Sequence, residues 1–570
     1  MTPTVDLETT YPRRFVPAKA DPGDWAQIEP LFRQLLDARP DSVAALERWL
    51  QDGSELFAVL DEERARRYTA MTCQTDDPAR ERAYLFFIEE IVPRLEPLEH
   101  ALNEAYLNSQ YRRMLPRRYW VLDRQIANQA ALFRPENVPL QTDEARLKQQ
   151  FQKIAGAMSV TFRGTERTLP QMAPYLEEPD RTVRQEAWQA VVNRRLQDRE
   201  QLEGVFDGLL TLRQQIARNA DCADYREYVF RERERFDYTP EDCLRFHGAV
   251  EDVVVPVLRR LRDRRRAALR LGTLRPWDLA VDALGRPPLR PFGPIDGLLD
   301  GAEAIFRRLD DEFGEQFRFM RRRGLLDLES RRGKAPGGYQ NSLQEQRVPF
   351  IFMNAVGLEG DVRTLLHEGG HAFHMLAARD ESILEYRHAP MEFCEVASMA
   401  MELLATPYLG VFYPDLEDLT RAQREQYERV VLLFPWIATI DAFQHWLYTH
   451  PGHSRDERRA AWVEVFERFS VGVDYTGHED AKAAMWQQQL HLFVAPFYYI
   501  EYGIAETGAL QIWLRARTDH AAALGRYRDA LALGGSRPLP ELFEAAGARF
   551  DFSADTLRPL MRALLDELGV

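Results

Sequence analysis

Apolar positions recur every three and four residues along most of the chain. Leu202, Val205, Phe206, Leu209, Leu212 and Ile216 make one such stripe, the signature of a helix with a single buried face. The same period fills residues 28–60, 81–107, 183–218, 241–271, 421–449 and 456–470. Strict alternation is scarce, and the best strand candidate is the apolar run Val348–Val356. At the edge of a sheet that strand could accept an extended peptide as an extra strand, whereas inside a small sheet it could not. No repeat of solenoid length is visible. The pattern predicts a mostly α fold with a small β-sheet. Two Pro/Gly-rich breaks interrupt it: 272–297, read as an ordered loop or interdomain connection, and 333–341 just before the strand. We divide the chain into an N-terminal helical domain, 1–195, and a catalytic domain, 196–570.

The 570 residues carry a net charge of −15, and an acidic balance argues against a nucleic-acid-binding body. Arg runs at 231–235 and 262–266 read as solvated helix faces. Cys73, Cys222, Cys243 and Cys394 stand far apart, which disfavours a disulfide framework or a Cys-based zinc ribbon. The N-terminus has no apolar signal core, and no run of about 18 apolar residues occurs. The expectation is a cytoplasmic protein with no membrane span; oligomeric state stays open.

The chemistry concentrates at His367-Glu368-Gly369-Gly370-His371. In a chain with 12 histidines, His-Glu-x-x-His would arise by chance in roughly two such chains per hundred, so its surroundings must decide. Asp361 is a candidate N-cap, and Leu365, Leu366, Ala372, Phe373 and Leu376 give a helix a face to bury. Residues four apart then share a face, so both imidazoles can reach one ion about 2 Å away. Glu368, beside them, is free to act on water. Two glycines each cost a helix about 1 kcal/mol, which implies that a neighbouring element or substrate backbone comes close there. The competing reading is a core helix whose histidines only form hydrogen bonds.

A catalytic zinc needs a third protein ligand. The extended His-Glu-x-x-His-x-x-Gly-x-x-His pattern fails, because His374 and Ala377 occupy its last two key positions. Pro390 and Met391 exclude the short-spaced glutamate types. Glu392 and Glu395 remain, on a second helical stretch over 391–404. Glu395 and Glu402 lie two turns apart on one face, so one can ligate while the other holds a ligand histidine; Glu392 is the fallback ligand. His374 reads as structural. Cys394 falls on another face, and His445, His450, His453 and His478 show no ligand spacing.

These residues carry a resemblance. HEGGHAFH, then Glu395, Ser398 and Glu402 in EVASMAME, together with Gly337-Gly338-Tyr339 and PFIFMNAVG upstream, resemble the M3 family of zinc peptidases. Within that family, which includes thimet oligopeptidase and neurolysin, the closer likeness is to the oligoendopeptidase F branch. The resemblance implies a helical body split by a deep channel that admits short unfolded peptides. It implies one zinc held by His367, His371 and Glu395, with Glu402 bonded to a ligand histidine and Glu368 as general base. In such peptidases a C-terminal histidine and tyrosines reach over the metal and bind substrate. The corresponding residues are His491, Tyr499 and Tyr502, while Tyr498 is read as packing. The implied activity is zinc-dependent endopeptidase; a zinc dipeptidyl carboxypeptidase and a non-catalytic helical scaffold are the alternatives.

Overall fold

The computed structural model describes residues 5–570. Helices take up 68% of the chain and strands 4%, a mostly α protein with small sheets. The helical stretches read from periodicity are present, several of them divided. Residues 28–60 fall in Trp25–Asp37 and Val43–Cys73, and 183–218 in Arg181–Gln197 and Arg199–Asn219. Leu202, Val205, Phe206, Leu209 and Ile216 of the stripe are buried as their spacing requires, while Leu212 is half-buried. The largest hydrophobic core draws on residues from 65 to 568, and a smaller one joins apolar side chains from 16 to 102.

The helix Leu416–Thr449 is long and apolar enough to cross a membrane, but the apolar window is 72% buried inside the protein. It is a core helix, and its apolar character is accounted for by packing. The 272–297 break is an ordered loop. The fully buried Asp278 accepts bonds there from Arg181 and Arg184, and Trp277 is buried beside it.

Two small sheets occur among the described residues. β1 (Ser159–Phe162) and β2 (Thr165–Thr168) form an antiparallel hairpin. The second sheet comprises β3 (Leu326–Glu329), β4 (Tyr339–Leu343) and β5 (Val348–Ala355), in the order β3-β5-β4. β5 pairs in parallel with β3 and antiparallel with β4. The apolar run at 348–356 is therefore the central strand, not an edge; burial on both faces explains why it does not alternate. β4 is an edge. Before it, Lys334 is buried and its Nζ donates to the carbonyls of Asp327, Glu329 and Met353 and to the Asp327 carboxylate, pinning the 330–338 loop to the sheet.

β5 leads through a short turn into the helix Glu359–Ala377. Asp361 does not stand at the N-cap. It sits in the first turn, where its Oδ2 accepts from the backbone N–H groups of Val356, Gly357 and Leu358, each at 2.8 Å. One carboxylate oxygen thus fastens the strand-to-helix turn, a denser use of the acid than capping a single N–H.

The helix Met391–Ala405 packs against Glu359–Ala377 on one side and against Tyr499–Thr518 on the other. The first contact is made possible by glycine. A Cβ on Gly370 would stand 2.6 Å from Ser398 Cα and 2.7 Å from the Ala397 carbonyl oxygen, and one on Gly369 would meet the Phe306 ring at 2.5 Å. The close approach expected from the two glycines is thus made by neighbouring protein. Gly370→Ala, ordinarily a gain of about 1 kcal/mol in a helix interior, is expected here to cost about 1–3 kcal/mol, because backbone atoms must move to admit the methyl group. Thermal unfolding checks the sign: a raised melting temperature would mean that the two backbones are not in contact at Gly370.

Candidate active site

The helix crossing at Gly370 sets Glu395 against both motif histidines. Glu395 Oε2 lies 3.2 Å from His367 Nε2 and 3.4 Å from His371 Nε2, and one ligand atom from each of the three lies within 4.8 Å of the others. Ser398, one turn beyond Glu395, donates from Oγ to the same carboxylate oxygen at 3.0 Å. Behind the histidines, Glu402 Oε1 sits 2.7 Å from His367 Nδ1, and Gln426 donates to the other Glu402 oxygen. The bond at Nδ1 turns Nε2 toward Glu395. Glu392 is elsewhere: Tyr238 donates to its Oε1 at 2.5 Å and Arg235 Nε is 3.8 Å away, so it faces away from the histidines.

Charge is concentrated here on largely buried side chains. Burial alone would raise the Glu395 carboxyl, yet His371 and His367 outweigh it and hold that group well below the usual range. Burial likewise works against charge on His367, but its bonds to Glu395 and Glu402 hold the imidazole well above its usual value. Two nitrogens and a carboxylate oxygen converging on one point are a zinc-type donor set. Glu368 lies on the cleft side and is only 5% exposed; its Oε2 has no hydrogen-bond partner, and burial raises its carboxyl above the usual range.

The C-terminal segment is not one helix. Leu490–Val494 ends at a break, and Tyr499–Thr518 begins after it. At the break Phe497 takes φ +60°, a conformation few non-glycine residues adopt. Its backbone N–H donates to Gln444, its carbonyl accepts from Arg235, and Arg233 donates to the carbonyl of Pro496. Arg233 and Arg235 both pair with the buried Glu501. This clamp aims Tyr498 at the site, where its hydroxyl donates to Glu395 Oε1 at 2.5 Å. Tyr498, read as packing, is thus bonded to the candidate ligand.

His491 and Tyr502 also line the cleft, 3.2 Å apart at Nε2 and the hydroxyl. The tautomer of His491 follows from its neighbours. Trp436 Nε1 can only donate and faces Gln489 Oε1 at 3.2 Å, which turns Gln489 Nε2 onto His491 Nδ1 at 2.8 Å. His491 therefore carries its proton on Nε2, the cleft side. Burial pushes its pKa down to about 4, so the ring is neutral. Tyr499 turns the other way, into Trp436 and Gln489 behind His491, and does not line the cleft. Gln489 was not among the residues read from sequence, and nothing in its spacing marks it.

A model of the Peptidase family M3 matches residues 174–562, and one of the Peptidase M3 N-terminal domain matches 15–125. The chain belongs to peptidase family M3. Among solved structures, PZ peptidase A, determined with an inhibitor, superposes with a TM-score of 0.93 at 27% identity, covering 98% of this chain and 99% of that one. Oligopeptidase PepF of Bacillus subtilis (strain 168) is 22% identical over 415 residues, 68% of this chain. Chromosomal oligoendopeptidase F of Lactococcus lactis subsp. cremoris is 22% identical over 215 residues, 37% of this chain. These alignments span 59% and 32% of the relatives' own lengths. Within the family the chain falls in the oligoendopeptidase F branch.

In this M3 chain the site opens into a cleft of about 430 Å³. One wall is the β4 edge from Gly338 to Ser342; across from the metal-type cluster, Asp61, Tyr68 and Thr72 of the helix Val43–Cys73 close it. A Cβ on Gly338 would come within 3.5 Å of Glu368 Oε1, so this strand passes directly over the free carboxylate. His374 is buried with an unpartnered Nε2 and is driven down to about 3 by burial, a neutral ring on the cleft wall.

The raised pKa of Glu368 has a sign that can be checked. A carboxyl whose folded pKa lies above its unfolded value favours folding below the unfolded pKa, and that contribution is lost as pH rises through the folded pKa. Metal-free Glu368→Gln, which mimics the protonated acid, should therefore match the wild type near pH 4.5 and exceed it in stability by about 1–3 kcal/mol near pH 8. Chemical denaturation of the chelated proteins across that range tests this; a gap that narrows with rising pH would contradict it.

Proposed function

We propose that this protein is a zinc-dependent endopeptidase acting on short, unfolded oligopeptides, with Glu368 as its general base. The observation that carries the reading is the convergence of His367, His371 and Glu395 beside a buried carboxylate oxygen that has no partner of its own. A zinc ion held by these three residues would supply Lewis-acid chemistry, polarising the scissile carbonyl and acidifying water.

The protein's own groups do the rest. Glu368 Oε2 takes a proton from the attacking water and passes it to the leaving amine nitrogen; its raised pKa makes the carboxylate a stronger base in the first step. His491 Nε2–H and the Tyr502 hydroxyl face the cleft as donors for the oxyanion that forms at the carbonyl, each worth roughly 3 kcal/mol in such a role. Tyr498 fixes Glu395 and leaves Oε2 turned to the histidines. Trp436 and Gln489 set the His491 tautomer from behind. The β4 edge would receive the peptide backbone as an added strand, independent of side-chain identity.

Endopeptidase is favoured over dipeptidyl carboxypeptidase by the cleft's cations. Arg387 is the one Arg or Lys lining it, and its nitrogens donate to the carbonyls of Gln344, Glu381 and Ser382. No free cation is left there among the described residues to anchor a substrate carboxylate. A quenched fluorogenic peptide blocked at its C-terminus should therefore be cut; cleavage confined to free C-termini would favour the exopeptidase.

Glu368→Gln should keep the wild-type zinc content and lose turnover by several orders of magnitude, while Glu395→Ala should hold one zinc fewer than wild type. Full activity in the first variant would remove Glu368 from the chemistry. Tyr498→Phe should weaken zinc affinity about 10–100-fold through Glu395, measured by chelator competition; unchanged affinity would return Tyr498 to a packing role.

A further inference from the structure

A second set of metal-type donors is buried away from the cleft. Cys243 and His247 lie one turn apart on the helix Pro240–Ala249, and Asp441 and His445 lie one turn apart on Leu416–Thr449, which packs against it. Their exposures are 0%, 1%, 0% and 4%. One ligand atom each from Cys243, Asp441 and His445 lies within 4.8 Å of the others. His247 Nε2 is 2.8 Å from Asp441 Oδ2. Asp441 Oδ1 has no hydrogen-bond partner although it is buried, and His445 Nε2 meets only Asp441 Oδ2, at 3.3 Å. A carboxylate this deep with an open oxygen is costly unless a cation faces it.

We propose that Cys243, Asp441 and His445 bind a structural zinc ion, distinct from the one in the cleft, with His247 holding the Asp441 carboxylate in place. The donor types select the metal. Thiolate and imidazole suit zinc, while calcium and magnesium take oxygen. On binding, the Cys243 thiol gives its proton to water, and thiolate and carboxylate together balance the two charges of the ion. With zinc on Nε2, His445 carries its proton on Nδ1. The long 3.4 Å contact from Arg226 to that atom then gives way, and Arg226 turns toward Asp224, 3.7 Å from its other nitrogen.

The ion would brace the clamp described above. The His445 ring meets Phe497 edge-on at 5.3 Å, and Gln444, the adjacent residue, holds the Phe497 N–H. Zinc at this point would fix the helix Leu416–Thr449 directly behind the turn that aims Tyr498.

Cobalt substitution of the full-length protein separates the two sites, because only this one contains a thiolate. The cobalt protein should show a thiolate-to-cobalt charge-transfer band in the near ultraviolet. The band should persist in His371→Ala, and that variant should retain one zinc per chain by elemental analysis. Cys243→Ser should lose the band. No band in the wild type, or a His371→Ala protein devoid of zinc, would leave the cluster as a hydrogen-bonded His–Asp–His network and overturn the proposal. A band that vanishes with His371→Ala would belong to Cys394 beside Glu395 and would overturn it equally. If Cys243→Ser does not fold, the wild type and His371→Ala still decide.

Discussion

The approach of two helix backbones at Gly370 is the constraint on which the site depends. With no side chain there, Glu359–Ala377 can press onto Ala397 and Ser398. Glu395 is one turn before Ser398, so the contact that brings the helices together also inserts the Glu395 carboxylate between His367 and His371. A wider crossing would leave the three donors on separate walls. Rigid elements carry all three, which keeps a small donor triangle open without flexible loops.

Electrostatics follows from that packing. Two imidazoles and two carboxylates share a largely buried space: His367 is stabilised by Glu395 and Glu402, Glu395 by both histidines, and Glu402 by His367. Glu368 alone is left out, with a bare oxygen toward the cleft. A group excluded from the local network is free to exchange a proton with something that enters, and in this respect it differs from Glu402, which is saturated by His367 and Gln426. The opposite wall is built on a different plan. A strained residue, Phe497, is held by Gln444 and Arg235 so that a tyrosine hydroxyl meets Glu395. The strain is localised where surrounding bonds over-determine the backbone.

The tautomer of His491 shows how far a functional property can lie from the residue that bears it. An indole N–H that can only donate orients an amide, and the amide decides which imidazole nitrogen carries the proton. Trp436, Gln489 and His491 come from two elements, and no pattern along the chain connects the first to the others.

Chain-local physics was legible in the sequence. A period of 3.6 marked the helices; spacing of four put His367 and His371 on one face, and spacing of seven put Glu395 and Glu402 on another. The apolar run at 348–356 was a strand because burial on both faces removes alternation. Each of these depends on residues within two or three turns of each other. Tertiary structure decided what distance along the chain conceals. It made β5 central and β4 an edge, moved Asp361 inside its helix, and chose Tyr498, 103 residues from Glu395, over Tyr499 as the one that touches it. It also gathered Cys243, Asp441 and His445 from two helices that no spacing rule links. The reason is physical: backbone geometry is set by neighbours and repeats predictably, whereas the direction of a side chain across a cleft depends on the packing of everything behind it.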